Sequence, residues 1–142
     1  MRTAIIYRSF LGSTKKYAEW LHDSIESSDL LKPRQAHSKK LAAYDLVIIC
    51  AGTYAGWISL RGYLKNKWPV LKEKKVILLV VGLVPPEDAE SVAAYMKIPE
   101  YIRQEIQYFK VPGRWGSRNQ NQDAVKRENL QPVIDYIQGL ES

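Results

Sequence analysis

Hydroxyl side chains flank a glycine near the start of the chain, in the segment Ser9 to Thr14. The apolar run Ala4 to Tyr7 before it predicts a buried strand, and apolar residues recur at helical spacing from Tyr17 to Ile25. A loop between a strand and a helix start can hold a phosphate, because backbone N–H groups and the positive end of the helix dipole point at one spot. The alternative is an ordinary βα turn whose hydroxyls only cap the helix.

This loop lacks the patterns of the two common nucleotide-binding loops. A triphosphate-binding P-loop needs a Lys directly after its second Gly, whereas Ser13 follows Gly12 and no Gly stands five residues earlier. A dinucleotide-binding loop carries G-x-G-x-x-G, whereas this loop has one glycine. We therefore expect a single phosphate, held without a metal ion.

A second glycine-containing segment, Ala51 to Trp57, follows the apolar run Leu46 to Cys50. A run that is apolar at successive positions is typical of a parallel strand covered by helices on both faces. Ligands of open α/β sheets bind beyond the carboxyl ends of such strands. Tyr54 or Trp57 could stack on a flat aromatic ligand there. Alternatively, Trp57 starts the next helix and packs onto the sheet.

Strand and helix patterns alternate along the rest of the chain. The clearest strand, Val76 to Val81, is ended by Gly82 to Pro86, which places a third loop at the ligand edge. This alternation predicts an α/β fold, with a five-stranded parallel sheet of order 2-1-3-4-5 and helices on both faces. Two further strands are predicted, a short one around Arg34 to His37 and another at Ile106 to Val111. Further helices are predicted at Ser59 to Trp68, which Pro69 would end, at Glu87 to Tyr95, at Pro99 to Glu105 and around Leu130 to Leu140.

The composition is that of a globular protein with an excess of positive charge. At 142 residues and 46% hydrophobic residues, we expect one domain, residues 1–142. The apolar runs are shorter than the roughly 20 residues of a membrane helix, and the first strand leaves no room for a signal peptide. One cysteine, Cys50, fits a reducing cytosol, so we expect a cytoplasmic protein. The net charge of +6 favours acidic partners, nucleic acid or a membrane surface.

Other chemistries of five-stranded α/β proteins lack their residues here. A low-molecular-weight phosphatase needs an Arg six residues after its Cys, and none stands there after Cys50. A receiver domain needs an Asp at the end of the third strand, where Cys50 and Ala51 stand. His22 and His37 have no metal-ligand companions at useful spacing, so we expect no metal site. A redox cofactor would then carry the chemistry, with no catalytic side chain.

Several segments resemble the flavodoxin family. Ser9 to Thr14 is similar to the flavodoxin phosphate loop, commonly T/S-x-T/S-G-x-T. Ala51 to Trp57, with Ile58 to Lys67 after it, resembles the second flavin loop and its helix. It looks closest to the flavodoxin-domain branch that includes menaquinone-dependent protoporphyrinogen oxidase. Val76 to Pro86 and the strand end Val111-Pro112-Gly113-Arg114 also resemble that branch.

The resemblance implies a flavodoxin-like fold and a non-covalently bound FMN that transfers one or two electrons. The first loop would hold the FMN phosphate, the second would line the ring with Tyr54 as its stacking partner, and the third would form the other wall. The cofactor-binding residues implied in this way are Ser9, Phe10, Leu11, Gly12, Ser13, Thr14, Ala51, Gly52, Thr53, Tyr54, Ala55, Gly56, Gly82, Leu83 and Val84.

Two departures from the family pattern bear on function. Leu11 stands where many flavodoxins have a hydroxyl residue, which removes one hydrogen bond to the phosphate, or about 1.5–3 kcal/mol. Electron-carrier flavodoxins are typically acidic, whereas this chain is basic. Because acidic surroundings disfavour the anionic, fully reduced flavin, we expect a less negative second reduction potential here.

Three functions follow as expectations. The leading one is an FMN-binding redox protein that passes electrons between a partner protein, for which the basic charge favours an acidic one, and a substrate or second carrier. The second is an oxidase acting on a porphyrinogen with a quinone as acceptor, in which Leu83 to Glu105 would be the added segment and the basic surface would suit a membrane or an acidic porphyrin. The third is a flavodoxin-fold binding module that has lost FMN. The sequence contains no repeat of aromatic and basic residues, so we do not expect specific binding of nucleic acid.

Overall fold

A parallel sheet lies at the centre of the chain. The computed structural model describes residues 1–8, 12–113 and 124–142. Within those ranges the strands are β1 (Thr3–Tyr7), β2 (Ser28–Leu31), β3 (Leu46–Tyr54), β4 (Trp57–Ile58), β5 (Lys75–Gly82) and β6 (Gln107–Pro112). Five of these pair in parallel in the order β2-β1-β3-β5-β6, and β4 pairs with the end of β3, antiparallel. Without the short β4 this order is 2-1-3-4-5, which confirms the predicted topology.

Helices cover both faces of this sheet. Within the described residues they are α1 (Ser13–Ser24), α2 (Ser38–Leu41), α3 (Arg61–Leu71), α4 (Ala89–Met96), α5 (Glu100–Arg103) and α6 (Gln131–Glu141), and a short 3-10 helix, Arg127–Leu130, leads into α6. One core cluster joins the sheet to α3 and α4, and the other joins it to α1 and α6. The central strands are buried on both faces because their successive side chains point into different clusters, as Ile48 and Ile49 do.

Two local predictions are wrong. The second strand is Ser28–Leu31 and not the segment from Arg34 to His37, which forms a turn and the start of α2. Pro69 does not end its helix, since α3 continues to Leu71. Pro69 has no N–H group and so leaves one hydrogen bond of the helix unmade. The burial of Leu71, worth about 1.5–3 kcal/mol, stabilises the last turn in spite of this loss.

None of the described helices is long and apolar enough to cross a membrane. Among the same residues, no group of three or more His, Cys, Asp or Glu side chains could hold a metal ion. The two histidines instead bond locally. His22 Nδ1 lies 2.9 Å from Ser28 Oγ, and His37 Nδ1 accepts a hydrogen bond from the Lys40 amide.

The buried thiol of Cys50 provides a test of this core. Cys50 is fully buried in β3, and burial raises the pKa of its thiol to about 12. Because an exposed thiolate is the nucleophile that attacks a disulfide reagent, we expect no labelling of the native protein at pH 8, and one label per chain in denaturant. A Ser24→Cys variant should label rapidly at its exposed position. Rapid labelling of Cys50 in native buffer would contradict this packing.

Candidate functional site

The predicted ligand-binding residues that the structure describes lie at one edge of the sheet. Gly12, Ser13 and Thr14 begin α1, Ala51 to Gly56 end β3 and turn towards β4, and Gly82 to Val84 end β5. The carboxyl ends of β1, β3 and β5 meet at this edge because the three strands are adjacent and parallel. The predicted residues Ser9, Phe10 and Leu11 lie outside the described residues.

The start of α1 presents a positive helix end to this edge. Gly12 is the N-cap, with a φ of 91° that favours glycine, and no side-chain hydrogen bond caps the helix from this position. The first turn has no acidic residue and contains Lys15 and Lys16. An anion placed here would therefore meet the helix dipole without competition from a carboxylate of the first turn.

Thr14 brings the start of α1 against the ends of β3 and β5. Its side chain is nearly buried, and a Cβ atom added to Gly52 would lie 3.7 Å from Thr14 Oγ1 and 3.8 Å from the Val81 carbonyl oxygen. A larger side chain at position 52 would fill the space between the helix start and the neighbouring strand. The first and second predicted loops are thus parts of one surface.

Tyr17 anchors α1 one turn further along. Its hydroxyl donates to the Pro112 carbonyl oxygen at 2.6 Å and accepts from Asn129 Nδ2 at 3.0 Å. Burial raises the pKa of the Tyr17 phenol, with the hydrogen bond from Asn129 as a smaller, opposing effect. The neutral phenol ties the helix to the end of β6 and to the turn before α6.

The second loop is a tight hairpin. Gly52 and Ser59 close it with two hydrogen bonds, since the Ser59 amide donates to the Gly52 carbonyl at 2.8 Å and the Gly52 amide donates to Ser59 Oγ at 2.9 Å. Ala55 and Gly56 both have positive φ, as the two central residues of a type I′ turn require. The hairpin leaves the predicted stacking residue Tyr54 72% exposed.

Trp57 lies in β4 between two cations. The Arg61 guanidinium carbon and the Lys97 ammonium nitrogen lie 4.2 Å and 4.0 Å from the centre of its ring, and Lys97 Nζ also donates to the Gly56 carbonyl at 2.7 Å. The alternative that Trp57 starts the next helix and packs onto the sheet is wrong. The type I′ turn returns the chain along β3, so α3 begins only at Arg61.

The third loop begins at Gly82, where β5 closely approaches Thr53 of β3 and Lys110 of β6. A Cβ atom on Gly82 would lie 2.7 Å from Thr53 Oγ1 and 3.2 Å from Lys110 Cε, so the absence of a side chain permits this approach. Lys110 Nζ donates to Ser91 Oγ on α4. Desolvation lowers the pKa of Lys110, against the opposing charges of Glu90 and Asp88.

Sequence reasoning missed Lys97 and Lys110 as parts of this edge. Lys97 contacts a carbonyl 41 residues earlier in the chain. Lys110 lies in a predicted strand, where only the sheet pairing shows that it reaches Gly82. The edge therefore contains the positive end of a helix, glycines that leave space, an exposed aromatic ring and three cations, Arg61, Lys97 and Lys110. The helix end and the cations suit an anionic group, and the exposed aromatic ring suits a flat ring joined to it.

Comparison with known proteins identifies a family. A sequence model of the flavodoxin domain matches residues 4–131. No curated protein shows significant similarity in sequence. Similar solved structures include a flavodoxin from the domain Archaea (TM-score 0.66, 14% identity, 100% of both chains covered) and Flavodoxin 2 from Bacillus cereus (0.62, 18%, 96% of this chain and 99% of that one). A flavoprotein from Lactobacillus acidophilus NCFM in complex with FMN is also similar (0.53, 17%, 78% and 91%). At these identities the structures share the fold alone.

A substitution at Gly82 tests the close approach of Thr53 and Lys110 to this residue. We expect Gly82→Ala to lower the free energy of unfolding by about 1–3 kcal/mol, because Thr53 and Lys110 must move away from the new methyl group. Thr53→Ala in the same chain should recover part of that loss. Urea unfolding of the single and double variants measures both effects.

The matched control is Gly139→Ala in α6, where nothing lies within 4 Å of an added Cβ atom. There we expect no loss, and a gain of up to about 1 kcal/mol from helix propensity. Equal stability changes at positions 82 and 139 would contradict the close approach at Gly82.

Proposed function

The chain belongs to the flavodoxin domain family, and on that premise we propose that it binds FMN non-covalently and transfers electrons through it. The observation that carries the proposal is the carboxyl edge, where the start of α1, the hairpin after β3 and the end of β5 form one surface. A bound flavin would supply the one- and two-electron chemistry at its ring. The side chains of the edge would bind and orient the cofactor.

The start of α1 suits the phosphate of the cofactor. Gly12, Ser13 and Thr14 offer backbone N–H groups at a helix N-terminus, and the two side chains add hydroxyl donors. That Ser9, Phe10 and Leu11 complete this phosphate loop stays a prediction. The buried position of Thr14 against Gly52 supports its role, since the packing holds its hydroxyl in place before any ligand binds.

The hairpin and the end of β5 suit the flavin ring. Tyr54 offers an exposed aromatic face, and the exposed Leu83 follows the neighbouring strand. The paired hydrogen bonds of Ser59 with Gly52 and the bond from Lys97 to Gly56 hold the hairpin in one conformation. We propose that Ala51 to Gly56 line one side of the ring and that Gly82 to Val84 line the other.

Cations around this edge favour acidic partners. Arg61 and Lys97 both contact the Trp57 ring, and Tyr54 and Leu83 are exposed at the ends of β3 and β5 on the same edge of the sheet. An apolar centre with a positive rim is suited to a redox partner protein that presents an acidic surface. The same positive charges would stabilise the negatively charged, reduced form of the flavin. We propose that the protein works in the cytoplasm with such a partner.

A second candidate function is the oxidation of a porphyrinogen with a quinone as acceptor. The segment between β5 and β6 forms α4 and α5, and Val92, Met96 and Tyr101 are exposed on it. Lys97 joins this segment to the hairpin, and the exposed apolar side chains of the segment are suited to contact with a membrane or a quinone. Rescue of a strain lacking the oxidase would support this function, and no rescue by a well-expressed, flavin-loaded protein would count against it.

FMN binding can be measured directly. We expect flavin absorption bands that stay with the protein through gel filtration after FMN is added. Thr14→Val should weaken FMN binding by about tenfold to a hundredfold, because it removes one hydrogen bond to a charged group without changing the volume of the side chain. Fluorescence titration of FMN measures the change.

The control variant is Ser24→Ala, which removes a hydroxyl at the opposite end of α1 and should leave the affinity unchanged. The proposed function would be overturned if the folded wild-type protein neither retained FMN through gel filtration nor changed the absorption spectrum of added FMN. The third expectation, a binding module that has lost the flavin, would then stand in its place.

Removal of the Arg61 charge tests the electrostatic effect on the flavin. We expect the second reduction potential of the FMN-loaded protein to become more negative in Arg61→Gln, by tens of millivolts, since a nearby cation stabilises negative charge. Lys72→Gln, at the amino edge of the sheet after α3, is the matched control. An unchanged potential in Arg61→Gln, or equal shifts in both variants, would show that Arg61 has no specific effect on the flavin.

A further inference from the structure

Four basic side chains line a cleft at the carboxyl edge of the sheet, on the side away from the hairpin. The cleft has a volume of about 510 Å³, which lies within the range of small-molecule sites. Its lining residues are Tyr7, Arg8, Lys15, Lys32, Pro33 and Arg34.

The position of the cleft follows from the strand order. Arg8 follows β1 directly, Lys15 lies in the first turn of α1, and Lys32 to Arg34 follow β2. Because β2 pairs with β1 on the side opposite to β3, the cleft lies on one side of the helix start and the hairpin on the other. Arg8 and Lys15 also bracket the predicted phosphate loop in the sequence. The cleft is therefore next to the proposed phosphate position but separate from the proposed ring position.

The cleft brings four like charges together at one concave surface. Arg8, Lys15, Lys32 and Arg34 are exposed, and the ion pairs among the described residues include none of the four. Four like charges around one concavity repel each other and create a positive potential that attracts anions. Two of them are guanidinium groups, whose planar N–H donors bind phosphate oxygens in pairs. The positive end of α1 adds to this potential.

We propose that this basic cleft binds a diphosphate group. The start of α1 suits one phosphate group. The four cations of the cleft therefore suit a ligand that carries a second phosphate group beside the first. A diphosphate has two sources, and the structure suits both. One is the second phosphate of a flavin dinucleotide, FAD, whose first phosphate would lie at the start of α1, and this source rests on the proposed function. The other is a free nucleoside diphosphate that binds beside the flavin.

The double variant Lys32→Gln with Arg34→Gln tests the cleft. Both side chains are exposed, and neither is part of the proposed FMN site, so the variant should fold and bind FMN as the wild type does. Calorimetry with ADP, on the protein with and without FMN, tests the free nucleotide. Titrations of the flavin-free protein with FAD and with FMN test the dinucleotide. The control variant, Lys72→Gln with Lys75→Gln, removes the same charge at the opposite edge of the sheet.

The two sources give different results. If a free nucleotide is the ligand, ADP binds the FMN-loaded protein, and the cleft variant weakens that binding at least tenfold while the control changes it less than twofold. If FAD is the ligand, FAD binds more tightly than FMN, the cleft variant removes that advantage, and ADP does not bind the FMN-loaded protein. Either result supports the diphosphate site.

A wild-type protein that binds FMN normally but shows neither ADP binding nor a preference for FAD would overturn this inference and leave the proposed function intact. Equal losses in the cleft and control variants would also overturn it, because they would reflect net charge alone. ADP binding that depends on Lys32 and Arg34 in a protein that fails to bind any flavin would overturn the proposed function and support the diphosphate site.

Discussion

The structure depends on the burial of its central strands on both faces. In β3, Ile48 and Ile49 are both fully buried, and they belong to the two different core clusters. Each such side chain contributes about 1.5–3 kcal/mol, which is a large part of the net stability of a small domain. Because helices occupy both faces, a ligand can reach these strands only at their ends. The loops at the carboxyl edge are therefore where function is expected.

The same edge concentrates positive charge. Arg61 and Lys97 lie beside the hairpin, Lys110 lies under α4, and Arg8 and Lys15 lie on either side of the predicted phosphate loop in the sequence. Arg61 and Lys97 contact the Trp57 ring, Lys97 also donates to a carbonyl and Lys110 donates to a hydroxyl, and the ion pairs among the described residues include none of these three. Their charge therefore remains available to a ligand or a partner, whereas a carboxylate partner would cancel it.

The hairpin after β3 shows how local and distant contacts combine. Gly56 suits the second central position of the type I′ turn because glycine adopts a positive φ without strain, whereas Ala55 takes the first position at a φ of 50° that a side chain disfavours. The Lys97 side chain, which donates to the Gly56 carbonyl and lies 4.0 Å from the centre of the Trp57 ring, comes from the end of α4, 41 residues beyond Gly56. The turn sets the direction of the two strands, and the distant contacts hold the hairpin against α4. A flat ligand would meet a surface that is already ordered.

The amino-acid sequence by itself determined the order of strands and helices, the two-faced burial of Leu46 to Cys50 and Val76 to Val81, and the three segments that meet at the carboxyl edge. Those features are local, since they depend on apolar spacing and on glycines after strands. The second strand was misplaced because Ser28–Leu31 has little apolar character, and it becomes a strand only by pairing with β1.

Tertiary structure alone decided that Pro69 stays inside α3, that Gly82 permits Thr53 and Lys110 to approach, and that four basic residues share one cleft. Exposed lysines and arginines have no spacing that reveals their neighbours, because their contacts join residues far apart in the chain.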